Sequence, residues 1–160
     1  MTELFDVHVQ EIDVLETTVP DGFVPLPPRY RSFIHHCGNF HFNPENCVLA
    51  TRIANDHLNP IGIAHGGMLA TLVDTAFGAA IRHKLKLPVA PMTISLNIDY
   101  VSPARPGDWV EAHVELHKAG RRIGNASCSL KVAERLVLRA SGTFMMEQGG
   151  SNPSNPAIGV

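Results

Sequence analysis

The fold of this chain is decided by residues 59–78, which read NPIGIAHGGMLATLVDTAFG. The stretch predicts a loop that ends in a pair of glycines and leads directly into a helix reaching about Lys84. From Met68 to Ile81 only three residues are polar. A helix that is apolar on most of its sides packs inside a protein. We therefore expect this helix to cross the centre of the domain.

One stripe of the predicted helix is small and polar. Steps of four, three and four residues place Gly67, Thr71, Asp74 and Gly78 on the same side of the helix. A carboxylate in a buried helix is costly unless it is paired, hydrogen-bonded or open to a cleft. We interpret the stripe as a face against which another molecule lies, and Asp74 as a candidate catalytic group.

The helix begins at His65-Gly66-Gly67, where no side chain is expected to hinder approach to the backbone N–H groups. Such a terminus favours anions and developing negative charge, and an oxyanion site combined with a carboxylate suggests acyl transfer. A glycine pair alone would equally fit a tight turn and a closely packed helix. With His65 before the pair and Asp74 after it, we favour the catalytic interpretation.

Gly66 and Asp74 are too far apart to serve one carbonyl group within a single chain. Eight residues of helix separate them by about 12 Å along the axis, whereas catalytic contact requires about 3 Å. If both residues act on one substrate, a symmetric dimer should bring Gly66 of one protomer close to Asp74 of the other.

Composition limits the classes of partner and compartment. The 160 residues carry a net charge of −2 and no run of Lys or Arg, which argues against nucleic acid as the main partner. The chain begins without a secretory signal and contains no apolar run long enough for a membrane span. Three scattered cysteines, Cys37, Cys47 and Cys128, fit a reducing compartment, so we expect a soluble, cytoplasmic protein.

The second half of the chain alternates apolar and polar residues. Alternation is clear in residues 94–100, 110–117, 126–132 and 136–146, which are separated by turn sequences. It predicts strands with one face towards a core, including a dry face formed by Ile94, Leu96, Ile98 and Tyr100. The central helix is the long element available to cover these faces. The predicted fold is α+β, an antiparallel sheet wrapped around one central helix.

Three regions follow from these patterns. They are an N-terminal extension and strap at 1–45, the main domain at 46–146, and a disordered tail at 147–160. Within the first 54 residues we expect a short helix in 1–19, an extended proline-rich segment at 20–28, and strands at 31–39 and 46–54 with a turn at residues 43–46. The cluster of His35, His36, Cys37 and His41 matches no known zinc spacing, and we predict no metal site.

Asn59, the sequence His65-Gly66-Gly67 and Asp74, followed by the antiparallel strands, resemble the hotdog-fold acyl-CoA thioesterases of the phenylacetate-pathway (PaaI) type. The resemblance covers about residues 46–146. It implies that the Gly66 N–H binds the thioester carbonyl and that Asp74 of the partner chain is general base or nucleophile. It also implies that His65 and Asn59 position the thioester or the attacking water, and that Thr93 lies close to the acid.

The resemblance therefore implies hydrolysis of an acyl-CoA thioester by a homodimer that pairs into a homotetramer. No cofactor is expected, because coenzyme A enters as part of the substrate. The acyl group would lie along the stripe containing Gly67, Thr71 and Gly78. Arg121 and Arg122, in a predicted hairpin turn with Lys118, could meet the coenzyme A phosphates or form an ordinary solvated turn. The alternatives are a hotdog hydratase or dehydratase and a non-catalytic acyl-CoA-binding module.

Overall fold

The computed structural model describes residues 18–26 and 33–146. These residues form a long helix, a short helix and a seven-stranded sheet. The helices are α1 (Phe33–His36) and α2 (Gly66–Leu85), and the strands are β1 (Val24–Pro25), β2 (His41–Asn43), β3 (Val48–Arg52), β4 (Met92–Tyr100), β5 (Trp109–Ala119), β6 (Ile123–Val132) and β7 (Arg135–Met145). A turn of 3-10 helix at Asn55–His57 lies between β3 and α2.

The sheet has the strand order β1-β2-β3-β5-β6-β7-β4. Every neighbouring pair is antiparallel. Strands β5, β6 and β7 follow one another through hairpins, whereas β4 crosses over and pairs with β7. The first strand after α2 therefore lies at one edge of the sheet, and β1 lies at the other.

The side of α2 that faces the sheet forms the centre of the core. Its buried residues are Met68, Leu69, Leu72, Val73, Ala76, Phe77, Ala80 and Ile81. The Phe77 ring is fully buried and its centroid lies 4.9 Å from that of Phe144 on β7. Loss of such an aromatic core side chain typically costs about 3–5 kcal/mol. The prediction of a central helix wrapped by an antiparallel sheet is confirmed.

The C-terminal end of α2 is set by Lys86, which adopts a left-handed conformation with a φ of 52°. Its N–H donates to the carbonyls of Arg82 and His83 and so satisfies backbone groups that a helix end leaves open. Basic side chains in the last turn also complement the negative end of the helix dipole. The helix ends one residue beyond the predicted position.

The strand predictions are confirmed for β5, β6 and β7. On β5, Val110, Ala112 and Val114 are buried and alternate with more exposed polar residues. The same alternation continues on the neighbouring strands, where Ala126, Cys128, Leu130, Val137, Leu138, Ala140 and Phe144 are buried. Because one face of these strands packs on α2, the period-two pattern gave the correct faces.

Strand β4 departs from the prediction of a dry face. None of its nine residues is buried, and Met92, Ile94 and Tyr100 are each more than half exposed. Only Leu96 and Ile98 pack partly against the core. The physical reason is its position at the edge of the sheet. An edge strand has a neighbouring strand on one side only, and α2 covers its apolar face incompletely.

The predicted strand at residues 31–39 is wrong, since Phe33–His36 form α1. The strand begins later, at His41, where residues 41–43 pair with β3. The predicted turn between the two strands is confirmed. The Asn43 side-chain oxygen accepts the N–H groups of Glu45 and Asn46 at 3.0 and 3.1 Å, an arrangement that stabilises a turn locally.

Several predictions concern the chain ends. The helix predicted in 1–19, apart from Thr18 and Val19, and the tail at 147–160 fall outside the described residues. Within the predicted strap, β1 pairs with β2 and extends the same sheet, and the domain boundary at residue 46 stays a prediction. In the described part of the chain no helix is long and apolar enough to cross a bilayer.

Candidate active site

The start of α2 is capped by the side chain of His65. Its Nδ1 atom accepts a hydrogen bond from the Gly67 N–H at 2.9 Å, which is the bond that an N-cap side chain makes. A Cβ atom at Gly67 would lie 3.1 Å from this ring and would crowd the cap. We predicted an unobstructed helix start. That prediction is wrong for Gly67, whose N–H is already occupied.

The neighbouring Gly66 N–H has no acceptor among the described residues. Gly66 is the first residue of α2 and lines an open cleft of about 380 Å³. An N–H at this position carries part of the positive end of the helix dipole. It is therefore available for a carbonyl oxygen that becomes negative during a reaction.

Tyr100 closes one side of this helix start. Its hydroxyl donates a hydrogen bond to the Gly66 carbonyl oxygen at 2.7 Å. Partial burial raises the pKa of the Tyr100 hydroxyl, so the group remains a donor at neutral pH. Sequence reasoning placed Tyr100 on a dry strand face and missed this contact. The available signal was a tyrosine, with its polar tip, at the end of an otherwise apolar face.

Asn59 shapes the loop that leads into α2. Its side-chain oxygen accepts the N–H groups of Ile61 and Ile63 at 3.1 and 3.3 Å. Asn59 also lines the cleft beside Gly66. Since the oxygen is used within the loop, the side-chain NH₂ is the part of the amide that can face a ligand.

The stripe of Gly67, Thr71, Asp74 and Gly78 faces away from the core. Gly67 and Asp74 are exposed, and Thr71 and Gly78 are half-buried. Asp74 therefore meets a condition stated for a carboxylate on this helix, since its side of the helix is open. The sheet covers only one side of α2, so the opposite side remains open along its length.

Asp74 is held by a residue of β4. The Thr93 hydroxyl donates a hydrogen bond to Asp74 Oδ1 at 2.7 Å, so the structure brings together the acid and the threonine that the resemblance associated with it. The Thr71 hydroxyl instead donates to the Gly67 carbonyl within the helix, at 3.0 Å. Gly78 has room for a side chain, since an added Cβ would meet Ala90 only at 3.6 Å.

A bulge in β4 directs Thr93 towards the helix. Thr93 pairs with the buried Phe144, whereas Ser95 pairs with Thr143 on the other face, and Ile94 between them has no cross-strand partner. Simple alternation would place Ile94 inwards and Thr93 outwards. The extra residue reverses this locally, which explains both the contact of Thr93 with Asp74 and the 52% exposure of Ile94.

The candidate groups occupy two separate places on one protomer. Gly66 contacts Tyr100 at the end of β4, whereas Asp74 contacts Thr93 near its beginning. The two helix positions are about 12 Å apart along the axis, and the stripe between them is not covered. A single chain therefore presents an N–H donor and a carboxylate that do not face a common point.

Arg121 and Arg122 lie in the tight turn between β5 and β6, as predicted. The first residue of β6, Ile123, pairs with Met145, which pairs in turn with Met92 at the start of β4. Ile123 and Met92 are therefore two strand spacings apart, which is roughly 10 Å. The basic turn thus lies at the same end of the sheet as the carboxylate, and both arginines are exposed.

His57 is the buried histidine next to this region. Its Nδ1 accepts the Ala54 N–H at 3.0 Å, and its backbone carbonyl accepts the His65 N–H at 2.8 Å. Burial lowers the pKa of His57, an effect that nearby Asp56 partly opposes. The residue connects the end of β3 to the residue that caps α2. Among the described residues no three His, Cys, Asp or Glu side chains are grouped to hold a metal ion.

Comparison with known proteins gives a consistent result. Residues 61–138 match the family model described as the thioesterase superfamily. A Pseudomonas aeruginosa protein that carries the provisional name of esterase is 40% identical over 131 residues, covering 79% of this chain and 96% of that protein. Acyl-coenzyme A thioesterase 13 of Mus musculus is 30% identical over 103 residues, covering 62% of this chain and 72% of its own length.

A solved structure extends the similarity to the fold. A mutant of the phenylacetic acid degradation protein PaaI from Thermus thermophilus superimposes with a TM-score of 0.57 and 31% identity, covering 62% of this chain and 84% of that one. The predicted resemblance to hotdog-fold thioesterases is confirmed by these similarities.

Proposed function

This chain belongs to the thioesterase superfamily, and from that premise we propose that it hydrolyses acyl-coenzyme A thioesters in a site shared by two protomers. The observation that carries the proposal is the separation of two half-sites on one exposed helix face. One half-site contains the unpaired Gly66 N–H, and the other contains Asp74 held by Thr93. The similarity to acyl-coenzyme A thioesterase 13 supports coenzyme A as the group that carries the acyl chain.

The free edge of β4 offers a route to the dimer. An edge strand leaves backbone groups unpaired on its outer side, and Met92, Ile94 and Tyr100 of β4 are exposed. A two-fold axis at Asn97 would pair two β4 strands with their core-facing residues opposite one another, and the bulge at Ile94 would then bring Thr93 opposite Tyr100 of the partner subunit. In that register, Asp74 would approach Gly66 of the partner subunit. Pairing of such dimers into a homotetramer is part of the proposal.

In the shared site, the thioester carbonyl oxygen accepts the Gly66 N–H at the positive end of the helix. This contact stabilises negative charge on the oxygen as the carbonyl carbon is attacked. Asp74 of the partner subunit acts either as general base towards a water molecule or as nucleophile. As general base, Asp74 takes a proton from water, the water oxygen bonds to the carbonyl carbon, the carbon–sulfur bond breaks and the proton passes to the sulfur. As nucleophile, an Asp74 oxygen bonds to the carbonyl carbon and coenzyme A leaves as the thiolate; water then hydrolyses the mixed anhydride to the free acid and the free Asp74 carboxylate, and the proton released passes to the thiolate.

The remaining residues position these groups. Thr93 occupies one carboxylate oxygen of Asp74 and leaves the second free to act. His65 holds the helix start through its Nδ1, so its Nε2–H can face water or the thioester. The Asn59 NH₂ group can do the same from the loop. The acyl group lies along the stripe beside Gly67, Thr71 and Gly78.

Arg121 and Arg122 are proposed to bind the phosphates of coenzyme A. They project from an exposed turn at the end of the sheet where Thr93 holds Asp74. Arginine forms paired hydrogen bonds with phosphate oxygens. No cofactor is needed in this scheme, because the coenzyme is part of the substrate.

The test is release of free thiol from aromatic and aliphatic acyl-coenzyme A substrates by the wild-type protein and Asp74→Asn. A catalytic base or nucleophile contributes on the order of 100-fold or more, so turnover should fall by at least that factor while substrate binding persists. Asp21→Asn, which removes an exposed carboxylate beside β1, is the matched control. Wild-type turnover in Asp74→Asn would contradict the assignment, and binding without any turnover by the wild type would favour a binding module.

A further inference from the structure

Tyr100 makes a contact with the helix start that the helix itself does not require. Its hydroxyl donates to the Gly66 carbonyl oxygen at 2.7 Å. A carbonyl in the first turn of a helix also accepts the N–H of the residue four positions later, so that oxygen has a helical partner without Tyr100. The additional bond holds the peptide group that follows Gly66, and with it the Cα atom from whose other side the Gly66 N–H projects.

The Tyr100 ring also lies close enough to crowd a side chain at position 66. A Cβ atom at Gly66 would lie 3.2 Å from both Cζ and the hydroxyl oxygen of the ring. That distance is shorter than ordinary van der Waals contact between such atoms. The ring therefore lies directly against the Gly66 Cα and leaves the N–H side of this residue open to the cleft.

Little of the Tyr100 side chain packs against the core. The residue is 54% exposed and lies at the end of an edge strand, so its apolar contribution to stability in the protomer is small. Tyr100, Gly66 and Asn59 instead line the same cleft of about 380 Å³. The position of the ring is thus better explained by the cleft than by the core.

We propose that Tyr100 is a positioning residue for thioester hydrolysis, which holds Gly66 so that its N–H points at the substrate carbonyl oxygen. The inference rests on the proposed function, because it assumes that the Gly66 N–H receives that oxygen. An oxyanion contact strengthens as negative charge develops and acts mainly on the transition state. Loss of the Tyr100 hydroxyl should therefore lower kcat and leave KM nearly unchanged.

Tyr100→Phe removes the hydroxyl and keeps the ring. The loss of one hydrogen bond of ordinary strength corresponds to a decrease in kcat of roughly 3- to 10-fold. Thr51→Val is the matched control, because the Thr51 hydroxyl also donates to a backbone carbonyl, that of Asn39, at 2.9 Å. This control should lower the melting temperature without changing kcat. A wild-type kcat in Tyr100→Phe would overturn the inference.

A double-mutant cycle tests whether the Tyr100 ring interacts with residue 66. Gly66→Ala should lower kcat strongly in the wild-type background, because the new methyl group meets the ring. In the Tyr100→Ala background that clash is absent, and Gly66→Ala should cost much less. Additive effects would overturn the inference, since residues that do not interact give additive changes.

Asp74→Asn, measured in the same series, separates the inference from the proposed function. If Asp74→Asn is inactive and Tyr100→Phe is fully active, only the role of Tyr100 is wrong. If Asp74→Asn retains full activity, the proposed function fails first. In both cases thermal unfolding identifies variants whose loss of activity comes from loss of structure.

Discussion

Two inactive variants should restore activity when they form a mixed dimer. Gly66→Pro removes the N–H that receives the carbonyl oxygen at the first helical position, where proline fits the helix backbone, and its Cβ also crowds the Tyr100 ring of the same half-site. Asp74→Asn removes the carboxylate and keeps the shape of the side chain. Each homodimer lacks one essential group in both of its sites, so each should be inactive.

The magnitude follows from the symmetry of the site. In a mixed dimer, one site combines an intact Gly66 with an intact Asp74 of the partner subunit, and the second site carries both changes. Equal random mixing makes half of all dimers mixed, each with one intact site of two. The mixture should therefore recover about one quarter of the wild-type activity for the same amount of protein.

The assay is thiol release by protomers carrying different affinity tags, co-expressed and purified through both tags in succession. Purified mixed dimers should have about half of the wild-type activity, or about three tenths where randomly formed dimers pair into tetramers before the tags are selected, and separately purified homodimers combined without exchange should have none. If dimers shown by native mass spectrometry to be mixed remain inactive, while each protomer melts cooperatively, the site is complete within one chain and the shared-site proposal is wrong.

The other predictions concern single residues. Thr93→Val should lower kcat about fivefold through loss of a hydrogen bond worth roughly 1 kcal/mol, and Thr93→Ser should restore it; equal activities would contradict the contact. His57 has a folded pKa below its ordinary value of 6.5, so the folded state binds fewer protons than the unfolded state once the pH falls below about 6.5. The contribution of neutral His57 to the free energy of unfolding is therefore complete above that pH and is lost as the pH falls. The melting temperature of the wild type should decrease from pH 7.5 to 5.5, and this decrease should be smaller in His57→Asn but not in His36→Asn. Burial raises the pKa of Cys128 to about 12, so iodoacetamide should label half-exposed Cys37 first in the native protein, and early labelling of Cys128 would show that its site opens.

The main elements of the fold could be predicted because their signals are local. The apolar run of α2 and the alternation of β5, β6 and β7 each come from one segment and one dominant contact surface. The short elements carried no comparable signal. Phe33–His36 have too few residues to show a period, and their helical conformation depends on neighbours distant in the chain, so an extended prediction there was wrong.

The dry face predicted for β4 shows what alternation alone cannot tell. The apolar residues are present and correctly phased from Leu96 to Tyr100, yet they are only partly covered in the protomer. A period-two pattern identifies a surface that avoids water, but it does not identify the chain that covers it. For an edge strand that cover can come from a second copy.

The sequence offered candidate site residues but not the contacts between them. Asp74 and Thr93 are 19 residues apart in the sequence and meet because of a bulge at Ile94, a feature without a reliable sequence signal. Gly66 and Tyr100 are 34 residues apart and meet because β4 crosses the helix start. The exposure of Asp74 agrees with the reasoning that a carboxylate on this helix must be paired, hydrogen-bonded or open to a cleft. An apolar helix that keeps a small, polar stripe opposite its core is stable in the protomer only because water covers the stripe. The same stripe can exclude water from a thioester once a partner lies against it.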